Sequence, residues 1–482
     1  IFIKINVISI YMFHYTNSIT NNSKIDTYVY ISCSNFDKNI KKLEQKFKFK
    51  FPSKFYAYFK GETNKFTKLF IKDKLFVIGK INEKKCSFTD IDKILKKICG
   101  LIKEDDKITN VQFLLIPIEE FIRHQVLRVV YYMYNFNKHK TKKKALKKSI
   151  YFCAINKLKS VILNSIKEAD IINDMRDMVN EPGNIMNSTN FVKFVKSNHQ
   201  KLKIELMEES QLKKKNLNLI LAVNKGSQNK PYLLTVKWLP KKNQKPVVLV
   251  GKGVTFDTGG INLKRYDFHD MKTDMTGASV VFSLLRLCAL NNLKRNVIGL
   301  IPLVENMVGS AASRPGDIIT SYNKKTVEIM DTDAEGRLIM ADALSYSENF
   351  KPCCVIDVAT LTGQAGSIFN QMSIVIMGNN DALLKKYEKI GELTNEKIWQ
   401  LPMWSEYNKL LKSSVADIKN TGKASSGAIL GGVFLSNFIP KKTNWMHVDI
   451  AGVSFNENDS IINGATGASI ISLYELLKNI TN

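Results

Sequence analysis

The sequence predicts an α/β fold: an N-terminal α/β domain over residues 1–170, followed by a larger α/β domain over residues 171–482 with a mostly parallel sheet covered by helices. In the second part, nearly continuous apolar runs of strand length alternate with helical stretches, as in parallel sheets buried on both faces. A long helical pattern at 155–180 runs into NEPGN at 180–184. Pro and Gly end helices, so we place the domain boundary along this helix, near residue 170.

The first part of the chain contains short apolar strands and Lys-rich helical patterns. The predicted strands are TYVYIS (27–32), KLFVIG (74–79) and VQFLLIP (111–117). DIDKILKKICGLI at 90–102 has helical spacing. No cluster of chemistry-bearing residues occurs there, so we interpret this part as a variable, Lys-rich domain.

The second part gives strand and helix predictions in alternation. The predicted strands are PVVLVG (246–251), NVIGLIPLVE (296–305), CCVIDVATL (353–361) and MHVDIAG (446–452). The predicted helices are TGASVVFSLLRLCALNN (276–292) and RLIMADALSYSENF (337–350). In such sheets functional groups gather at the carboxyl ends of the strands, which is where we look for a site.

The net charge of +27 is unevenly distributed, because residues 1–170 carry +19 and residues 171–482 carry +8. The densest basic run is KHKTKKKALKK at 138–148. Such a run fits either a patch for nucleic acid or an anionic membrane, or an ordinary solvated surface. No aromatic-interleaved nucleic-acid motif accompanies the charge, which favours the solvated surface.

Seven cysteines without a CxxC pair indicate a reducing compartment, and we expect a cytoplasmic protein. The apolar stretch at 5–13 is too short to span a membrane, and no later stretch reaches the length of a spanning helix. Residues 1–20 fit either the remnant of a targeting leader or an extension outside the native protein, so organellar targeting stays open.

Acidic and basic side chains follow the first strand of the second part and precede two of its helices. GKGVTFDTGGINLK after the strand carries Lys252, Asp257 and Lys264. Asp274 precedes one helix, and DTDAEGR at 331–337 precedes another. No HExxH motif occurs, which excludes a zincin-type site, and the spacing of a phosphate-binding P-loop is missing.

Four carboxylates in these segments can converge, because Asp333 and Glu335 share a side if the backbone is extended, and Asp257 and Asp274 lie at nearby termini. Such a cluster repels itself unless divalent cations bind, and two cations can activate a water together. Each residue alone also has an ordinary interpretation. The carboxylates complement helix N-termini or cap them, and the lysines lie on the surface.

Taken together, GKGVTFDTGG, MKTDMTGA and DTDAEGRLIMADAL resemble the signature segments of the leucyl aminopeptidase (cytosol aminopeptidase) family of two-metal exopeptidases. NEPGN, ENMVGSAASRPGDII, VATLTG and WMHVDIAG resemble that family as well, in its order. The resemblance spans about 171–482 and identifies this part as a catalytic domain, whereas residues 1–170 match only the general character of the preceding domain.

The resemblance implies a metal-dependent aminopeptidase in which Asp257 and Glu335 bridge two divalent ions, Zn²⁺, Mn²⁺ or Mg²⁺. Asp333 completes the tighter site. Lys252 and Asp274 hold the second, more exchangeable ion. A lysine ligand must be a neutral amine, so its pKa has to be lowered by the adjacent cations.

The resemblance also implies that Lys264 stabilises the oxyanion of the tetrahedral intermediate, and that Arg337 holds a bicarbonate that acts as general base. Peptides with a free N-terminus are the implied substrates, and a homohexamer, a dimer of trimers, is the implied assembly. An apolar preference of the Leu or Met type follows from the implied pocket, which consists of Met271, Thr360, Leu361, Gly363 and Ala451.

Two departures from the family pattern occur beside these residues. Asp331 replaces the usual Asn, and the segment 265–273 is one residue shorter than usual. The first adds negative charge beside the metals, and the second can tilt Asp274. Neither removes a ligand. A nucleic-acid-binding protein or a structural paralogue on the same scaffold is the alternative, against which the complete ligand set argues.

Overall fold

The computed structural model describes residues 11–16, 18–19, 24–32, 36–60, 64–81, 87–116, 118–141, 148–199, 201–266, 268–422, 426–457, 459 and 461–480. The chain divides into two compact units. The first comprises Ile1–Asn173 with Asn458–Asn463, and the second comprises Asp174–Glu457 with Gly464–Asn482. Most of the basic run at 138–148, namely 142–147, and residues 1–10 lie outside the described residues.

The first unit contains a six-stranded sheet in the order β1-β6-β5-β2-β4-β3, parallel except for β3. Its strands are β1 (Tyr11–Thr16), β2 (Thr27–Ser32), β3 (Lys65–Ile71), β4 (Lys74–Lys80), β5 (Asn110–Leu114) and β6 (Lys148–Cys153). Its helices are α1 (Phe36–Phe47), α2 (Ser53–Phe59), α3 (Phe88–Glu104), α4 (Glu119–Met133) and α5 (Lys159–Asn180), which continues into the second unit. Aromatic side chains of β2, β4, α1 and α2 build one core cluster here.

The second unit contains a nine-stranded sheet, and its central strands are parallel, as the sequence predicted. The strands of this unit are β7 (Lys203–Met207), β8 (Tyr232–Trp238), β9 (Val247–Gly251), β10 (Gly253–Asp257), β11 (Val297–Asn306), β12 (Ile318–Thr320), β13 (Thr326–Glu328), β14 (Cys354–Ala359), β15 (Ile374–Gly378), β16 (Ile398–Gln400), β17 (Ile418–Lys419), β18 (Asn444–Asp449), β19 (Phe455–Asn456) and β20 (Gly464–Ala465). The large sheet has the order β16-β15-β18-β14-β9-β11-β8-β7, with β10 paired to β11.

Helices cover this sheet and confirm the predicted fold class. They are α6 (Ser188–Ser197), α7 (Glu209–Lys214), α8 (Asn218–Asn224), α9 (Thr276–Leu290), α10 (Gly336–Tyr346), α11 (Gly363–Ile368), α12 (Asp381–Thr394), α13 (Tyr407–Leu410), α14 (Gly427–Ser436) and α15 (Ile470–Asn479). Short 3₁₀ segments occur at Asn156–Leu158, Phe268–Met275 and Ser347–Phe350.

Helix α9 is apolar on every side because it lies inside the second unit, where all its residues except Arg286 and Leu290 are buried. Together with the preceding 3₁₀ turn it forms the one stretch of the described chain, Phe268–Leu290, long and apolar enough to cross a membrane by composition. The buried share of its apolar window is 83%, and buried core helices pass the same test.

The parallel strands β18, β14, β9 and β11 run in register at the centre of the large sheet. Val247 of β9 is opposite both Val297 and Cys354, so these strands start level and end at one edge. The segments that follow β9, β10, β14 and β18 therefore meet at this carboxyl edge.

Candidate metal centre

The predicted ligands lie on four segments at the carboxyl edge of the large sheet. Lys252 separates β9 from β10, and Asp257 is the last residue of β10. Asp274 lies in the 3₁₀ turn before α9. Asp333 and Glu335 lie in the segment that leads into α10, where Glu335 is the N-cap residue.

Three buried carboxylates form the centre of the cluster. Asp257, Asp274 and Glu335 each present one oxygen, and these oxygens all lie within 4.8 Å of one another. Lys252 bridges two of them, with its Nζ 2.7 Å from Asp274 Oδ1 and 3.0 Å from Glu335 Oε1. Residues 59 to 83 positions apart in sequence are thus brought together, and each of these four is less than 10% exposed.

Asp333 reaches this cluster through Lys264. The Lys264 Nζ lies 2.7 Å from Asp257 Oδ2 and 2.5 Å from Asp333 Oδ1. Asp333 is the most exposed of the four carboxylates, with a third of its side chain accessible. The site thus sets four carboxylates against two ammonium groups, so it carries an excess of negative charge that suits cations.

The local backbone differs from the extended conformation that we considered for the acidic segment. Residues 332 and 333 form a turn, and Glu335 has helical dihedral angles. The turn forms because Asp331 Oδ1 accepts a hydrogen bond from the Asp333 backbone N–H at 2.9 Å. Asp331, which the sequence leaves without a role, therefore shapes the ligand segment, and the Asn usual at this position offers the same acceptor.

Gly336 lets helix α10 begin directly against the Lys252 side chain. A Cβ atom at position 336 would lie 2.4 Å from Lys252 Cε and 2.6 Å from its Nζ. Such distances are far below van der Waals contact, so a side chain at this position displaces the Lys252 amine. The glycine of the DTDAEGR segment is thus required by the close approach of two parts of the site.

The electrostatics of the cluster follow from burial and from the like charges. Burial raises the pKa of Asp274 well above its usual value, and the repulsion of Glu335 adds to this effect. Burial, together with Asp257 and Glu335, raises the pKa of Asp333 to about 7. The pKa of Glu335 is lowered instead, because the attraction of Lys252 and Lys264 exceeds the effect of burial.

Lys252 is held in its charged form by these carboxylates. Burial by itself lowers the pKa of Lys252, but Asp274, Glu335 and Asp257 raise it above the ordinary value. A lysine that ligates a cation must lose this proton, so cation binding at Lys252 has to be coupled to proton release.

The residues present fit a group of bound cations. Asp274 Oδ2 is buried and accepts no hydrogen bond from any residue in the described part of the chain. A buried carboxylate oxygen without a donor is costly unless a cation or another donor contacts it. The donor set of carboxylate oxygens and an amine suits Zn²⁺, Mn²⁺ and Mg²⁺.

Arg337 lies at the start of α10 and is free to bind an anion. The guanidinium is 6% exposed and donates one hydrogen bond, from Nη1 to the Asn420 carbonyl at 2.9 Å. Within the described ranges no carboxylate lies within ion-pair distance of it. Burial lowers the pKa of Arg337, against the attraction of Glu335 and Asp331. A buried guanidinium with unused donors beside a helix N-terminus can hold a small planar anion.

The pocket residues predicted from the sequence lie at the ends of β14 and β18. Thr360, Leu361 and Gly363 follow β14, and Ala451 follows β18. Met271 lies in the same 3₁₀ turn as Asp274 and is partly buried.

Asp449, which the sequence reasoning missed, ties the ends of β14 and β18 together. Its carboxylate accepts hydrogen bonds from the Leu361 N–H (3.3 Å), the Ala451 N–H (3.0 Å) and the Thr362 hydroxyl (2.9 Å). Its position at the end of a parallel strand is the only sequence signal that pointed to it.

Two asparagines that the sequence reasoning also missed hold the ligand segments. Asn306 Nδ2 donates to Asp257 Oδ1 (2.8 Å) and to the Thr332 carbonyl (3.0 Å). Asn420 Nδ2 donates to the Asp331 carbonyl (2.6 Å), and its Oδ1 accepts from the Met330 N–H (2.8 Å). Asn306 ends a parallel strand, which is a usable signal, whereas nothing in the sequence around Asn420 points to the site.

The short segment 265–273 leaves Asp274 in the cluster. Residues from Phe268 onward form a 3₁₀ turn, and Lys272 Nζ fixes it by donating to the Asn180 carbonyl at 3.2 Å. Residue 267 lies outside the described residues. At the surface of this turn His269 lies 3.6 Å from Glu457 Oε1.

Comparison with known proteins gives one family throughout. The family model of the catalytic domain of the cytosol aminopeptidase family matches residues 173–474. A probable cytosol aminopeptidase of Haemophilus influenzae (strain PittEE) is 39% identical over 384 residues, which cover 78% of this chain and 76% of the relative. One of Phytoplasma mali (strain AT) is 40% identical over 315 residues, which cover 64% of this chain and 63% of the relative.

Two solved structures have the same fold. A mutant of tomato leucine aminopeptidase superposes with a TM-score of 0.84 at 25% identity, covering 97% of this chain and 96% of that chain. The bottromycin maturation enzyme BotP in complex with Mn superposes with a TM-score of 0.84 at 23% identity, covering 94% and 99%. With a family model that spans most of the chain and the buried carboxylate–lysine cluster inside the matched region, the chain belongs to the cytosol aminopeptidase family.

Proposed function

We propose that this chain is a metal-dependent aminopeptidase that removes the N-terminal residue from peptides. The observation that carries the proposal is the cluster of Asp257, Asp274 and Glu335, three buried carboxylates within 4.8 Å of one another in a member of this family. Lys252 lies between two of them, and the Asp274 oxygen without a donor gives a cation a place to bind.

Two divalent cations, Zn²⁺, Mn²⁺ or Mg²⁺, would activate a water and polarise the scissile carbonyl when bound. Asp257 and Glu335 would contact both ions. Asp333 would complete one position, and Lys252 and Asp274 would complete the other, more exchangeable one. The support is the shared contact with lysine: Lys264 joins Asp257 to Asp333, and Lys252 joins Asp274 to Glu335.

The chain's own residues then handle the developing charge and the proton. Lys264 would donate to the substrate carbonyl oxygen and stabilise the oxyanion, because its ammonium lies beside Asp257 and is partly accessible. The carboxylates around it raise the pKa of Lys264, so it stays charged for this role. Arg337 would hold bicarbonate, which accepts the proton of the attacking water.

Recognition of the substrate would depend on its free α-amino group and on an apolar pocket. The α-amine would bind at the more exchangeable cation position near Asp274. The first side chain would contact Met271, Thr360, Leu361, Gly363 and Ala451. Of these, Met271 and Leu361 are partly buried apolar side chains, which supports a Leu or Met preference.

We propose a homohexamer, a dimer of trimers, in the cytoplasm. Large apolar side chains stay exposed on the second unit, which supports association. They are Met372, Leu393, Trp399, Trp404 and Val415. The names of the relatives and the free state of the five described cysteines support a cytoplasmic location. The alternative, a nucleic-acid-binding or structural paralogue, finds no support in the comparisons.

The test is the hydrolysis of leucine amide by the purified chain with added Mn²⁺ or Zn²⁺. We expect metal-dependent release of leucine, and a loss of at least about a thousandfold in kcat for Glu335→Gln, because this change removes a charged ligand without changing its shape. An Asp→Asn change at the remote Asp417 serves as control and is expected to keep full activity. Wild-type protein that releases no leucine with any divalent metal would contradict the proposal.

A further inference from the structure

We infer that Thr360 is a positioning residue that sets the affinity of the more exchangeable cation position, an inference that rests on the proposed function. Thr360 follows β14 and is 9% exposed. It contacts both residues assigned to that position. Its hydroxyl donates to Asp274 Oδ1 at 2.8 Å, and its carbonyl accepts from Lys252 Nζ at 2.8 Å.

The hydroxyl fixes which oxygen of Asp274 is available to a cation. Asp274 Oδ1 receives both the Thr360 hydroxyl and the Lys252 amine. Asp274 Oδ2 is buried and has no hydrogen-bond partner among the described residues. With one oxygen held by Thr360, the carboxylate cannot rotate without breaking that bond, so the free oxygen keeps its direction.

The carbonyl holds Lys252 in a way that is compatible with ligation. A neutral amine keeps two N–H hydrogens and a lone pair. One hydrogen can still be donated to the Thr360 carbonyl, which leaves the lone pair for a cation. The contact therefore survives the loss of the Lys252 proton, and it orients the amine in both protonation states.

The same loop offers a matched control. Thr362, two residues further on, also donates its hydroxyl to a buried aspartate, Asp449, at 2.9 Å. Asp449 is outside the carboxylate cluster and holds the loop backbone. Thr360→Val and Thr362→Val thus each remove one hydroxyl–carboxylate bond from the same loop, but only the first bond belongs to a proposed ligand.

The experiment titrates Mn²⁺ into the full-length protein and follows binding by calorimetry and by the electron paramagnetic resonance of free Mn²⁺. For wild type we expect two Mn²⁺ per chain. For Thr360→Val the weaker dissociation constant should rise by about 10- to 100-fold, as is usual when the partner of a ligand is lost. Thr360→Ser, which keeps the hydroxyl, and Thr362→Val should leave that constant close to the wild-type value.

Thr360→Ala, which removes the hydroxyl without burying a second methyl group, repeats the test if the valine variant does not fold. Unchanged Mn²⁺ affinity in a folded Thr360→Val or Thr360→Ala protein would overturn this inference alone. Wild-type protein that binds fewer than two Mn²⁺ would overturn the proposed function, and this inference with it.

Discussion

At the residue scale, the site depends on small groups in places where nothing larger fits. Gly336 is the clearest case, because a Cβ atom there would collide with the Lys252 side chain. In a helix an alanine is ordinarily more stable than a glycine by about 1 kcal/mol. The glycine therefore costs helix stability and is retained for the close approach to Lys252.

Gly336→Ala is expected to separate metal binding from stability. The added methyl group must displace the Lys252 amine, which is the end of a flexible side chain, so the fold should tolerate the change. We expect the midpoint of thermal unfolding of the metal-free protein to stay within a few degrees of wild type, whereas the weaker Mn²⁺ affinity falls by at least about tenfold. Equilibrium dialysis with Mn²⁺ measures the second quantity. Gly363→Ala, where a Cβ meets nothing within 4 Å, is the control.

At the element scale, neighbouring parallel strands carry a buried ion pair between β14 and β18. Asp357 and His447 are opposite each other in register, and His447 Nδ1 lies 2.5 Å from Asp357 Oδ1. Trp445 Nε1 donates to the other oxygen of Asp357 at 2.7 Å. Burial lowers the pKa of His447, but the attraction of Asp357 exceeds it and raises the pKa above 6.5.

This pair predicts how stability changes with pH. A histidine whose pKa is raised in the folded state contributes stability that is complete below about pH 6.5 and is lost as pH rises through the folded pKa. We expect the thermal unfolding midpoint of wild type to fall over that alkaline range. Asp357→Asn should start lower and lack this fall, because burial alone keeps His447 neutral. Parallel curves for the two proteins from pH 6 to pH 10 would contradict the assignment.

The elements themselves were largely predictable, and the deviations have local causes. The predicted strand at 353–361 ends at Ala359, because Thr360 to Thr362 leave the sheet to contact Lys252, Asp274 and Asp449. The predicted helix at 155–180 begins at Lys159, because a 3₁₀ turn precedes it. Hydrophobic patterns report burial, and they do not report where a buried chain turns aside to bind a carboxylate.

The ligand segments could be found from the sequence because each lies at a strand end or a helix start. Asn420 could not be found in this way. Its side chain contacts the backbone of Met330 and Asp331, and its carbonyl contacts Arg337. Such contacts depend on the path of the folded chain, and a residue type alone carries no record of them.

At the scale of the whole molecule, the charge and the chemistry are divided between the two parts of the chain. Residues 1–170 carry +19 of the net charge, while the carboxylate cluster lies in the second unit. An unevenly charged subunit with exposed tryptophans is suited to association through its apolar side chains, with the like charges directed toward solvent.

The proposed hexamer predicts a mass of six chains. Light scattering coupled to size-exclusion chromatography should give this mass at micromolar concentration. Iodide should quench the fluorescence of Trp399 and Trp404 less than their exposures of 61% and 63% in the single chain imply. A mass of one chain, with quenching that matches those exposures, would contradict the assembly. Trp445, which is fully buried, is the internal reference.

The bonds of Asp449 to Leu361, Thr362 and Ala451 have a consequence for how this enzyme family can diversify. They tie the two sides of the proposed pocket to neighbouring strands, whose spacing is fixed at about 4.8 Å by the backbone ladder. The width of the pocket is then inherited from the sheet and is insensitive to loop movement. New substrate preferences can arise by exchanging lining side chains such as Met271, while the metal ligands keep their positions.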